Sequence, residues 1–153
     1  MKNYENPAIC ARCGGKCCKS MPGICLPEDF GEPLFDNLLK ALKTGNYAVD
    51  WWEGDPRDDA PDMDSSEYIW RGYFIRPATR RAKLAGILFD PSWGGECVFL
   101  AEHGCKLPLE MRPHQCRTLE PRKDGNCISH GGDKRKYALA WLPYYNKIEE
   151  IER

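Results

Sequence analysis

The chain has 153 residues, 42% of them hydrophobic and 11% aromatic, which suits one globular domain with a sizeable core (residues 1–153) rather than a disordered chain. Twenty-two basic against 23 acidic residues leave a net charge of −1, excluding a global electrostatic pull toward nucleic acid or an anionic membrane. No apolar run approaches the ~18 residues of a membrane span, and residues 1–9 hold no apolar stretch of signal-peptide length, so a soluble, cytoplasmic protein with no membrane partner is expected.

The first feature in chain order is the strongest. Cys10, Cys13, Cys17 and Cys18 fall within nine residues, and the C-x2-C spacing of the first pair lets one tight turn aim two sulfurs at one metal. Gly14 and Gly15 supply the backbone freedom that such a turn needs. Cys17 and Cys18 are adjacent, so in an extended segment their side chains point to opposite sides and do not comfortably ligate one tetrahedral ion together. In a reducing compartment nine cysteines point to metal ligation or redox chemistry rather than to a disulfide framework.

Cys25 stands alone between Ile24 and Leu26, where a small buried hydrophobe is favoured over a ligand. Pro33 to Lys43 carries apolar residues at 34, 35, 38, 39 and 42, the spacing of an amphipathic helix that starts at Pro33 and stops at Gly45. Tyr47 to Trp52 reads as a short strand, and the aspartate-rich stretch Glu53 to Ser66 as a surface loop without the glycine and alternation of a calcium-binding loop. Glu67 to Arg76 has the aromatic and β-branched content of a second strand, with Trp70, Tyr73 and Phe74 expected in the core. Arg76, Arg80, Arg81 and Lys83 lie near aromatics, a pattern that fits a nucleic-acid surface but more commonly marks a solvated face. A short apolar run from Leu84 to Phe89 follows, closed by Asp90 and Pro91.

Cys97, Cys105, Cys116 and Cys127 are spaced by eight, eleven and eleven residues, too far apart for a single turn. They converge only through tertiary folding, and a metal joining them to residues 10–18 would fasten distant parts of the chain. The eight metal candidates are therefore Cys10, Cys13, Cys17, Cys18, Cys97, Cys105, Cys116 and Cys127. His103 and His114 each precede a cysteine by two residues and are secondary ligand candidates, while His130 reads as a loop residue. Thiolate ligands suit zinc and an iron–sulfur cluster alike, and Lys16, Lys19, Arg112 and Arg117 stand where they would offset the negative charge. Asp133 to Arg153 reads as a helix in two parts, capped by Asp133 and interrupted at Pro143, with Tyr137, Ala140 and Trp141 on its first apolar face.

The run from Cys10 to Cys18, with Gly95-Glu-Cys97-Val-Phe-Leu, Gly104-Cys105 and Arg112-Pro-x2-Cys116-Arg117, resembles the YkgJ-type cysteine-cluster family, described as zinc- or iron-chelating. The resemblance spans nearly the whole chain and implies ligation through Cys10, Cys13, Cys17, Cys18, Cys97, Cys105 and Cys116. This sequence differs in having three residues rather than two between Cys13 and Cys17. A related cysteine motif in flagellin lysine methylases implies an iron–sulfur cluster, but the likeness is confined to the motif and carries no methylation activity.

Together these readings predict an irregular α+β domain with short strands and about three helices around a cysteine-bound metal centre. The function expected is that of a metal-binding protein, structural or electron-transferring and accessory to a protein partner. The alternatives are a metalloenzyme acting on a small molecule or protein side chain, and a metal-stabilised nucleic-acid-binding module.

Overall fold

The computed structural model describes residues 22–91, 95–101, 104–120, 128–129 and 133–152. Leu34–Lys43 form helix α1, because Leu38 and Leu42 return to one face every turn and are buried there. Pro33 precedes its first residue, and Lys40 and Lys43 stand in the last turn, where cations oppose the carbonyl end of the helix dipole. Gly45 takes φ +78°, a left-handed conformation that lets its N–H return to the Leu42 carbonyl and end the helix.

Strand β1 (Tyr47–Glu53) then runs antiparallel to β2 (Arg71–Pro77), with Val49 opposite Ile75 and Trp51 opposite Tyr73. The chain also flanks this pair on both edges. Val49 exchanges backbone hydrogen bonds with Leu88 and Asp90 on the β1 side, and Cys25 donates its N–H to the Ile75 carbonyl on the β2 side at 2.9 Å. Gly72 to Thr79 are consequently buried without a break, the pattern of a strand covered on both faces.

The second strand begins later than its composition suggests. Glu67 to Trp70 stay outside β2, and Trp70 is 59% exposed with its ring edge-on to Tyr68, whereas Tyr73 and Phe74 lie in the core. Aromatic content marked Trp70 for burial, but the pairing ends at Glu53 opposite Arg71 and leaves Trp70 beyond the last paired residue. Asp55 in the preceding loop grips the Arg57 side chain and the N–H of Ile69, which holds its carboxyl well below the usual range.

Arg76, expected on a basic surface, is 1% exposed. Its Nε donates to Asp50 Oδ2 at 2.9 Å, Nη1 to the Pro77 carbonyl at 3.1 Å, and Nη2 to the Asp90 carbonyl at 2.8 Å. A buried guanidinium is tolerated only with such partners, and here they tie β1, β2 and the 88–90 segment together. Burial pushes the Asp50 carboxyl up, and the Arg76 charge pulls it back down.

Thr79 caps helix α2 (Arg80–Ala85) by accepting the Ala82 N–H, and Gly86 closes it in a left-handed conformation. Leu84, assigned by sequence to an apolar run, lies on this helix and is 90% exposed, because Ala82 supplies the inward position instead. Two short hairpins follow: β3 (Leu100–Ala101) with β4 (Gly104–Cys105), and β5 (Leu119–Glu120) with β6 (Ile128–Ser129). Helix α3 (His114–Arg117) stands between them.

Asp133 accepts the Lys136 N–H and caps α4 (Lys134–Ala140), which packs on both β1 and β2. Pro143 lies in a 3-10 turn, Leu142–Tyr144, that leads into α5 (Tyr145–Glu152) against β2. On α4 the fully buried residues are Tyr137 and Ala138, and Ala140 is only partly covered. Trp141 closes the core, its Nε1–H donating to the Cys25 carbonyl at 2.9 Å. The fold is α+β, with five α-helices among the described residues, three of them of seven residues or more.

Candidate metal centre

Three of the expected metal ligands lie within the described residues, each delivered by a different device. Cys97 is 5% exposed and bridges Thr79 in an antiparallel pairing, flanked by the hydrogen bonds from Arg80 N–H to the Glu96 carbonyl and from Val98 N–H to the Ala78 carbonyl. Cys105 ends β4 opposite Leu100, half-buried, and its Sγ accepts the Leu107 N–H at 3.4 Å. Cys116 lies on α3, started by Pro113 and ended after one turn by Thr118, whose hydroxyl returns to the His114 carbonyl.

Cys116 is clasped by the segment that follows the N-terminal cysteine run. A Cβ added at Gly23 would stand 2.3 Å from Cys116 Sγ and 3.2 Å from its backbone nitrogen, so no side chain fits there. Next to it, Ile24 N–H donates to Gln115 Oε1 at 2.9 Å and Gln115 N–H donates to the Ile24 carbonyl at 3.1 Å. Asp29 completes the clasp: Oδ2 accepts the N–H groups of Leu26 and His114 at 2.9 and 2.8 Å, and Oδ1 accepts Arg117 Nη2 at 2.7 Å.

Burial and neighbouring charges raise the proton affinity of three groups on this face. Burial pushes the Cys25 thiol well above its ordinary range, with the charges of Asp29, Cys116 and Cys97 adding to the rise and Arg117 opposing it. The Tyr47 phenol rises through burial and then through Cys25, Cys97, Asp29 and Cys105. On the other side the Tyr137 phenol rises through burial and, against a hydrogen bond from Thr118, through Cys116, Asp29 and Cys25. Cys25 is 1% exposed in the hydrophobic core.

Among the described residues no three His, Cys, Asp or Glu side chains form a group that could hold a metal ion. Cys10, Cys13, Cys17, Cys18 and Cys127 lie outside the described residues, as do His103, His130, Lys16 and Lys19. His114 contacts the Tyr137 hydroxyl through Nδ1 at 3.0 Å, and burial pulls its imidazole below the ordinary value.

One atom on this face fits a negatively charged group. Arg117 Nη1 donates to the Arg112 carbonyl at 2.6 Å and Nη2 to Asp29, yet Nε is buried with no hydrogen-bond partner among the described residues. Buried donors are almost always paired, and a cationic donor beside thiols suits a thiolate-bound centre.

Sequence reasoning missed Gly23, Asp29 and Gln115. Asp29 alone left a local signal, a carboxylate three residues after Leu26 at the start of the short 3-10 turn Pro27–Phe30. No protein-family model matches this chain, and no curated protein or solved structure matches it either.

Proposed function

We propose that this protein binds a metal centre, zinc or an iron–sulfur cluster, through Cys10, Cys13, Cys17, Cys18, Cys97, Cys105, Cys116 and Cys127, in a structural or electron-transferring role accessory to another protein. The observation that carries this reading is the clasp of Gly23 on Cys116. Cys18 precedes Gly23 by five residues, and five residues of any chain span at most about 18 Å. The chain therefore tethers Cys18 to the face that presents Cys116. Its resemblance to the YkgJ-type pattern supports the same ligands apart from Cys127.

A bound centre would supply a cross-link between distant segments and, if it is a cluster, one-electron transfer. The chain's own residues do the rest. Asp29 and Gln115 hold α3 against residues 24–26, fixing where Cys116 presents its sulfur. Tyr47 packs its ring on Phe99 at 5.7 Å, adding apolar bulk to the same part of the chain.

Anaerobic purification followed by zinc, iron and sulfide analysis tests the proposal. Stoichiometric zinc in colourless protein, or iron with labile sulfide and broad visible absorption, is the expected result, with Cys116→Ser losing the metal and Cys25→Ser keeping it. Protein that carries neither metal and takes up neither on reconstitution overturns it.

A further inference from the structure

Arg117 has five N–H donors and a rigid plane, so fixing two of its nitrogens fixes the direction of the third. Nη1 is fixed by the Arg112 carbonyl, which is itself anchored because Arg112 Nε donates to the Leu107 carbonyl at 2.9 Å. Nη2 is fixed by Asp29 Oδ1. The Nε–H bond shares an edge of the guanidinium with Nη2 and so looks toward the Asp29 side, where Leu26 and His114 donate to the same carboxylate. Asp29 does not satisfy it, since Oδ1 takes Nη2 and Oδ2 takes two backbone N–H groups. A positively charged donor buried in this position calls for an acceptor with negative charge.

We propose that Arg117 is a positioning residue of the metal centre, with Nε–H donating a hydrogen bond to a metal-bound cysteine sulfur. The inference rests on the metal-binding reading above and adds to it the group that sets the electron density at sulfur. An N–H···S bond withdraws charge from a thiolate, which lowers its nucleophilicity and, at a redox centre, raises the reduction potential. The same guanidinium locks Asp29, so the side chain that tunes the sulfur also holds the clasp over Cys116.

The direct test uses the full chain, isotopically labelled and loaded with NMR-active cadmium. The Arg117 Nε–H resonance is expected to exchange slowly with water and to show scalar coupling to the metal through sulfur. A loaded protein without that coupling overturns the inference and leaves the metal-binding reading standing, whereas a protein that takes up no cadmium, zinc or iron overturns both. Two variants then separate tuning from clasping. Arg117→Lys keeps the charge and an ion pair to Asp29 but has no Nε, and it is expected to weaken cadmium affinity by about 10- to 100-fold and to speed alkylation of the bound thiolates. Asp29→Asn weakens the clasp but keeps Nε, so its coupling should persist and its alkylation rate should stay near that of the parent. Equal acceleration in both variants would mean that Arg117 acts only through the clasp.

Discussion

Arg76 and Arg117 are both withdrawn from solvent, and the regions around them are finished differently. Arg76 uses Nε, Nη1 and Nη2, with Asp50, Pro77 and Asp90 as acceptors. Arg117 uses Nη1 and Nη2 and leaves Nε unpaired among the described residues. The β1–β2 layer is therefore complete in its own side chains, while the thiol face is closed by hydrogen bonds but still holds a donor and several sulfurs suited to an added group. On the proposed reading, loss of Arg76 should act on stability and loss of Arg117 on binding.

The largest effect should come from opening the complete region. Arg76→Met leaves Asp50 and Asp90 buried without their cation, and removing one partner of a buried ion pair costs about 3–5 kcal/mol. Urea unfolding of the variant is expected to show a loss of that size. A loss below about 1 kcal/mol, within the range of an exposed pair, would show that Arg76 does not hold the layer.

A smaller loss, confined to the thiol face, is expected from Gly23→Ala. The added methyl meets Cys116 Sγ, and such overpacking costs about 1–3 kcal/mol. Bound metal should fall while hydrogen-exchange protection at Val49 and Ile75 stays. The reverse result, a lost hairpin with metal retained, would erase the division between the two regions.

The alkaline limb sharpens the comparison from the side of the core. Burial raises the Tyr145 hydroxyl above its ordinary value of 10.0, and that hydroxyl donates to the Ala138 carbonyl. The folded state thus holds the proton more tightly than the unfolded one. The resulting stability is fully present below pH 10.0 and is lost as pH climbs past it. Tyr145→Phe should cost about 0.5–1.5 kcal/mol at neutral pH and should make the alkaline fall shallower, leaving the contributions of Tyr47 and Tyr137. An unchanged slope would place the Tyr145 hydroxyl in water. The smallest effect belongs to Trp70→Ala, which should change stability by no more than about 0.5 kcal/mol because the ring is 59% exposed.

Periodicity made α1 legible to within a residue, since Leu38 and Leu42 repeat every turn and Pro33 marks its start. Alternation and aromatic content located β1 and β2 but not the end of their pairing, which left Trp70 on the wrong side of the boundary. The burial of Arg76 was hidden because its acceptors lie 26 and 14 residues away, beyond any local pattern. Cysteine spacing suggested a metal site, whereas the clasp around Cys116 is built from a glycine, an aspartate and a glutamine. The aspartate and the glutamine reach His114 and Ile24 across 85 and 91 residues, and residue type alone gives no sign of such pairings.

The hydrogen bond from Trp141 to the Cys25 carbonyl also sets an order in time. The two residues are 116 positions apart, and at about 5–20 residues per second a ribosome makes the second about 6 to 23 s after the first. During synthesis Cys25 therefore waits many seconds for the indole that covers it, within reach of metal ions, oxidants and other thiols. A thiol that burial pushes well above its ordinary range in the finished protein begins its existence uncovered, and its protection depends on how soon the C-terminal helices arrive.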